Sequence, residues 1–339
     1  MPVNATLSQL SDWSYGSAAA IYLLAMILFL VEQAFGRKGR EAAERAGAGR
    51  DGSAVAAAGG GEPPEGPAST TASTAATMAA SAAESRRRGR AERFGSMGVA
   101  VMVLGMLLHL AALVFRGWST GRAPWGNMYE FLMVLCFAAV VTWLVVISRH
   151  AVRHLSVFVL LPVVLLLFLG GTLLYSTAVP VQPALQSYWL VIHVSTVAAA
   201  SGVFLVPGVA SVLYLFHSAH QRDPARFASL VRRLPSKEQL DRVAYRVTVF
   251  AFPVFTFGVI AGAIWAESAW GRFWGWDPKE TVAFITWVIY AAYLHARATA
   301  GWRGDRAAMI NIAGFAVVVF NLFFINLVVA GLHSYAQVD

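Results

Sequence analysis

The sequence predicts an all-α polytopic membrane protein with about eight transmembrane helices. Three observations carry this. Of the 339 residues, 58% are hydrophobic and 13% charged, against roughly 25% charged in soluble domains, and mean hydropathy is +0.59. Apolar stretches long enough to cross a ~30 Å hydrocarbon core, about 20 residues each, recur along the chain. Lys and Arg crowd into alternate connecting loops.

The stretches are roughly Ala18–Phe35, Phe94–Phe115, Met128–Ile147, Leu155–Tyr175, Tyr188–Phe216, Val247–Glu267, Thr281–Thr299 and Ala308–Leu332. The first follows a polar head without Lys or Arg, and no small-residue cleavage site follows it, so no cleavable signal peptide is expected. Pro207 with Gly208 in the fifth stretch and Pro253 in the sixth are expected kink points. The loops 37–93, 148–154, 217–246 and 297–307 hold 22 of the Lys and Arg residues and the opposite side holds 4. The basic loops are therefore expected in the cytoplasm and both termini outside, in a cell (plasma) membrane. The net charge of +8 is then a topology signal, and no nucleic-acid partner is implied.

Three segments follow: an N-terminal transmembrane helix (1–36), a basic loop (37–93) and a seven-helix core (94–339). The loop is rich in Ala, Gly, Ser and Thr, with Pro63, Pro64 and Pro67 at its middle. With almost no large apolar residues it is expected to be disordered, its Arg86–Arg88 cluster facing lipid headgroups. In 217–246, Asp223-Pro224 reads as a helix start, and Phe227, Leu230, Val231 and Leu234 give an amphipathic surface helix. Ser236 with Gln239 reads as a capping box for the next helix. The single cysteine, Cys136, excludes an internal disulfide and any CxxC motif.

The chemistry centres on 265–280, WAESAWGRFWGWDPKE. Trp265, Trp270, Trp274 and Trp276 fall within twelve residues. One or two such residues would read as an interfacial belt. Four, spaced by glycines, suit a shelf for a large planar apolar ligand. Asp277, Pro278 and Glu280 form a capping signature for the seventh span, leaving open whether they also touch ligand. Arg272 and Lys279 are placed to pair with ligand carboxylates.

The run WGRFWGWDPKET resembles the WWD signature of haem-handling proteins. GRAPWGNMYEFL (121–132), LQSYWLVIHV (185–194), FPVFTFGVIAGAIWA (252–266), ITWVIYAAYLHAR (285–297) and GLHSY (331–335) resemble the CcsA/ResC branch, which serves System II cytochrome c biogenesis. The resemblance covers most of the chain from about 94 onward. It implies haem b as bound substrate, presented outside the cell for attachment to the CxxCH motifs of apocytochrome c and received from the cytoplasmic side. It implies a place as a subunit of a membrane cytochrome c synthase (haem lyase) complex. The implied partners are a ResB-type membrane protein, apocytochrome c and a thioredoxin-like thiol reductant.

Histidines inside membrane spans are costly and so are functional candidates. His193 and His333 lie at the same end of the bundle as the Trp loop, and two neutral imidazoles can supply both axial ligands to haem iron. The resemblance places the paired external ligands at these positions. It also implies an inner haem site at His295, completed by the ResB-type partner. His109 reads first as a helix-to-helix hydrogen bond, with an auxiliary haem contact behind it. His150, His154, His217 and His220 read as solvated or lipid-facing. Asn127, Tyr129 and Glu130 open the third span without an assigned role. Two alternatives stand beside this reading: a WWD-family loader of a haem chaperone, and a non-haem small-molecule transporter, against which no inverted repeat is visible.

Overall fold

The computed structural model describes residues 3–57, 67–179, 187–299, 302–329 and 331–333. The chain is α-helical throughout its described regular structure: α1 (Ala5–Ala57), α2 (Pro67–Thr120), α3 (Met128–Arg149), α4 (Ser156–Thr172), α5 (Tyr188–Arg222), α6 (Ala228–Val231), α7 (Lys237–Trp270), α8 (Pro278–Ala298) and α9 (Asp305–Phe320). A 3₁₀ turn (Arg153–Leu155) precedes α4, and a π-helical turn (Asn321–Ile325) follows α9.

Among the described residues, seven helical segments are long and apolar enough to cross a membrane: Ala5–Phe35, Ser81–Thr120, Met128–Arg149, Arg153–Thr172, Tyr188–Arg222, Lys237–Trp270 and Asp305–Ile325. The expected seventh stretch forms as α8, with 21 residues, yet falls outside that set. It carries Lys279, Glu280, His295 and Arg297 besides several Thr and Tyr residues.

The chain divides into two compact units, Met1–Leu23 with Met102–Asp339, and Leu24–Val101. In the smaller unit α1 and α2 pack antiparallel: Phe29 lies over Gly98, and the Phe35 and Phe94 rings stack at 5.6 Å. The backbone is helical through 37–57 and 67–93, where composition argued for disorder. The absence of large apolar residues was one side of that composition. The other is alanine, the strongest helix former, with Pro67 at a first helical position and Arg88 paired to Glu84 at 2.6 Å one turn back. Residues 58–66, with Pro63 and Pro64, lie outside the described residues.

In the larger unit α1 starts at Ala5, well before the first apolar stretch. Its polar head is held by distant partners: Asn4 N–H donates to Ser119 O (2.9 Å), Ser11 Oγ to Ala112 O (2.8 Å), and Tyr175 OH to Asp12 (2.8 Å). His109 is fully buried and meets Tyr22 OH at 3.4 Å, the helix-to-helix role expected first. The capping box of Ser236 and Gln239 forms, and α7 runs unbroken from there past Pro253.

The amphipathic surface helix does not form as expected. Asp223 caps the end of α5 instead, and its carboxylate accepts from Ala225 N–H in a tight turn. Phe227 takes a left-handed conformation (φ 57°), which ends helix propagation, and only the single turn α6 follows. Phe227 packs on Phe216, ring centroids 4.8 Å apart. His217 and His220, expected to be solvated, bond the carbonyls of Pro235 (3.1 Å) and Arg226 (2.8 Å) and so tie this loop to α5.

Below the Trp-rich loop the core joins four helices. Ala200, Val203 and Phe204 of α5 meet Ala251 and Phe255 of α7, Tyr290 of α8 and Val318 of α9. Phe204 and Tyr290 stack face to face, 3.8 Å between centroids. This dry layer is the floor on which the site stands.

Candidate functional site

Above that floor the helix ends open into a cavity that encloses about 1340 Å³ when the open solvent at its mouth is counted. Its walls come from the loop entering α3, from α5, α7, α8, the Trp-rich loop and the end of α9. His193, His333, Trp265, Trp274, Lys279 and Glu280 all line it, residues that the sequence singled out from four separate stretches.

His193 sits one turn inside α5. Its Nδ1 meets the carbonyl oxygen of Gly258 on α7 at 2.7 Å. A carbonyl only accepts, so Nδ1 carries the proton and Nε2 keeps its lone pair, with no hydrogen-bond partner among the described residues. The ring fits because Gly262 has no side chain: a Cβ there would lie 2.5 Å from His193 Cε1 and Nδ1. Trp265, on the next turn of α7, lies nearly parallel to this imidazole (10°, 6.2 Å).

His333 arrives differently. The eighth apolar stretch is not a helix to its end. After the π-helical turn, Asn326 turns its amide back onto the carbonyls of Asn321 (3.3 Å) and Leu322 (2.7 Å). The chain then runs irregularly to the capping carboxylate of α8. Leu332 N–H donates to Asp277 Oδ1 at 2.8 Å, and His333 Nδ1 to Asp277 Oδ2 at 2.8 Å. Again Nδ1 is committed and Nε2 is free. Burial first, then the nearby Lys279 ammonium, lower the His333 pKa, although Asp277 pulls it the other way. Burial pushes the Asp277 carboxyl up, but the Leu332 N–H and His333 outweigh it and leave the pKa lowered. Both directions give a neutral imidazole against an ionised carboxylate at neutral pH, the form in which histidine binds metals. Both imidazoles neighbour Trp265, and His333 is 6.0 Å from it, edge-on.

The capping signature is real and does more than cap. Asp277 and Glu280 form a capping box, and Glu280 also accepts from Gly275 N–H (2.9 Å) and Asp277 N–H (3.1 Å). These two bonds straddle Trp276, which holds a positive φ of 57°, an outlier for a bulky residue. Glu280 thus fixes the loop's shape. Trp270 lies behind the site, edge-on to His333 (4.9 Å) and Trp265 (4.8 Å).

Three expected site residues lie elsewhere. Trp276 is 65% exposed and packs on Trp274 and Phe284 outside the cavity. Arg272 lies against Gly275 within the loop and is not in the cavity wall. His295 is exposed at the other end of α8, 16 residues and so roughly 24 Å of helix from Lys279. Lys279 itself bonds Asn326 and makes no ion pair among the described residues.

Residues that sequence reasoning missed are Gly258 and Gly262, Asn326, and Trp125. The indole N–H groups of Trp265 and Trp125 and the amide nitrogen of Asn127 are buried without partners among the described residues. The chemistry on offer is two imidazole nitrogens, an aromatic and aliphatic slot, a cation and several unused donors. Among the described residues no three His, Cys, Asp or Glu side chains converge on a bare ion. Two imidazoles suit an iron whose remaining positions are filled by a ring. The residues present therefore fit haem.

The family described as Cytochrome C assembly protein matches residues 125–333, a span that begins at Trp125 and ends at His333. The chain is 36% identical over 273 residues to the cytochrome c biogenesis protein CcsA of Prochlorococcus marinus (strain MIT 9313), covering 71% of this chain and 85% of that protein. It is 35% identical over 246 residues to CcsA of Chlamydomonas reinhardtii, covering 70% and 67%. Among solved structures it resembles the cytochrome c haem lyase CcmF with a TM-score of 0.54 at 17% identity, over 95% of this chain but 47% of that one. At that identity the likeness is one of fold, and the chain spans about half of that structure.

Proposed function

The chain belongs to the cytochrome c assembly protein family, and from that membership we propose that it holds haem and presents it for covalent attachment to apocytochrome c. Its function lies in cytochrome c biogenesis through haem handling. The observation that carries the finer reading is the matched pinning of two imidazoles: His193 by Gly258 and His333 by Asp277, each through Nδ1, each leaving Nε2 free beside one cavity. Such second-shell bonds orient metal-ligating histidines and raise their basicity.

Haem is the substrate, and two imidazole donors would hold its iron until a partner displaces one of them. His193 and His333 are those donors. Trp265, Trp274 and Trp270 supply the aromatic surroundings, Lys279 a cation, and Asp277 with Glu280 the frame. The chain contributes no CxxC motif, so the thiols of the acceptor are kept reduced by a separate thioredoxin-like protein. With α8 counted as a span the total is eight, which with the distribution of Lys and Arg puts the Trp-rich loop and both termini outside the cytoplasm. The core from 94 to 339 is the haem-handling unit. His295, exposed on α8, is the inner ligand, and a ResB-type partner completes that site within a cytochrome c synthase complex.

The test is the visible spectrum of the purified chain, alone and with its ResB-type partner, from haem-sufficient cells. A six-coordinate bis-histidine spectrum is expected. A colourless protein in both preparations overturns the proposal.

Asp277 gives a sharper check. Asp277→Asn keeps an N-cap of equal quality but removes the charge behind His333. Haem affinity is expected to fall 10–100-fold, as for other lost outer-shell partners, with little change in thermal stability. Titration of the detergent-solubilised variant with haem measures it.

A further inference from the structure

The stretch Gly121–Leu132 is anchored by several buried ion pairs and hydrogen bonds, and neither imidazole bonds to it. Glu130, fully buried, takes Arg116 Nε at 2.8 Å and Arg122 at 2.7 Å, and it accepts Gly126 N–H at 2.7 Å. Arg122 also reaches the carbonyls of Ala123 (2.9 Å) and Val179 (3.1 Å). It crosses Gly126 so closely that a Cβ there would be 2.6 Å from its guanidinium. Two cations and a carboxylate are thus buried beneath three residues, Trp125 to Asn127.

Those three residues face the cavity. Asn127 caps α3 by accepting Glu130 N–H at 2.9 Å through Oδ1. That bond fixes which way the amide points and leaves Nδ2 as a donor. Asn127 is 8% exposed, and neither Asn127 Nδ2 nor Trp125 Nε1 has a partner among the described residues. A buried N–H without an acceptor costs about 1–3 kcal/mol, so two on one rigid tripeptide at a cavity wall call for a ligand acceptor. In the same cavity Lys279 lacks an ion pair among the described residues, so the ligand carries negative charge.

We propose that Trp125 and Asn127 form a carboxylate-binding subsite, whose indole and amide N–H groups receive a propionate of the bound macrocycle. This rests on the haem reading above. It gives the ring a fixed rotation about the axis through its iron, which two axial imidazoles alone do not.

The experiment uses the full-length chain in detergent, titrated with haem and with haem dimethyl ester, whose carboxylates are blocked. Trp125→Phe keeps the ring and loses the N–H. Asn127→Ser keeps a good N-cap and loses the amide. In the double variant haem affinity is expected to fall about tenfold or more, the worth of hydrogen bonds to a charged group. Affinity for the diester should stay unchanged, and so should the bis-histidine spectrum. Equal losses for both porphyrins, or no loss for haem, overturn the subsite while leaving the haem assignment intact. A wild-type chain that binds neither porphyrin removes the haem assignment and this inference with it.

Discussion

Alanine at His193 or at His333 should abolish holocytochrome c formation. On the proposed ligation each substitution removes a direct donor to iron, so the loss should exceed the roughly 10–100-fold that follows from losing an outer-shell partner. The two variants should also be rescued by free imidazole, for reasons visible in the structure. In His193→Ala the vacated slot lies over Gly262, which offers no side chain to fill it, and the Gly258 carbonyl still waits for an N–H donor. In His333→Ala the Asp277 carboxylate loses one of its acceptor bonds but keeps those from Leu332 and Lys279 N–H, so an imidazole entering there finds the same oxygen. Partial recovery of assembly at millimolar-range imidazole is the expected signature. Full assembly by either variant without imidazole would falsify the ligand assignment.

Local signals in the sequence translated well. The capping box of Asp277 and Glu280 and that of Ser236 and Gln239 both formed, because a cap depends on residues three apart. The spans were legible for a similar reason, since apolar length is a local quantity. What sequence could not reach is the partner of Asp277. The same carboxylate that caps α8 takes Leu332 N–H and His333 Nδ1, residues 55 and 56 positions away. Beside the two readings of cap and ligand contact stands a third role, a brace behind the His333 imidazole.

Other departures have the same origin. A polar head looked like a flank of α1 because its partners, Ser119, Ala112 and Tyr175, lie on other elements. The amphipathic pattern of 227–234 was sound in spacing, but one left-handed residue, Phe227, reset the chain. In 37–57 and 67–93 the reading rested on missing apolar residues, while the helical backbone there follows the helix propensity of alanine. The histidines of the site were legible by depth and by resemblance. Their equivalence, two rings pinned through Nδ1, appears only when Gly258 and Asp277 are brought to them.

Glu130→Ala should be the most destabilising single substitution at this end of the bundle. Its carboxylate and the Arg116 side chain are both 0% exposed, and Arg122 is 11% exposed. Removing one member of such a group leaves the other charges buried without compensation, about 3–5 kcal/mol. Among the described residues Arg116 would keep Asp12, 3.8 Å away, the carbonyl of Ser176 and the face of Tyr129, and Arg122 backbone carbonyls. Glu130→Gln should cost less, because it retains an oxygen to accept Gly126 N–H. Thermal unfolding in detergent should therefore rank wild type above Gln above Ala. An Ala variant as stable as wild type would mean that the guanidiniums find other partners and that Glu130 does not organise the turn. Below its melting range the Ala variant should also bind haem more weakly, although Glu130 is not a ligand to iron, because the Gly126 anchor between Trp125 and Asn127 is gone. Stability and haem affinity would then fall together for one reason: the buried ion cluster exists to hold a short loop rigid against the cavity.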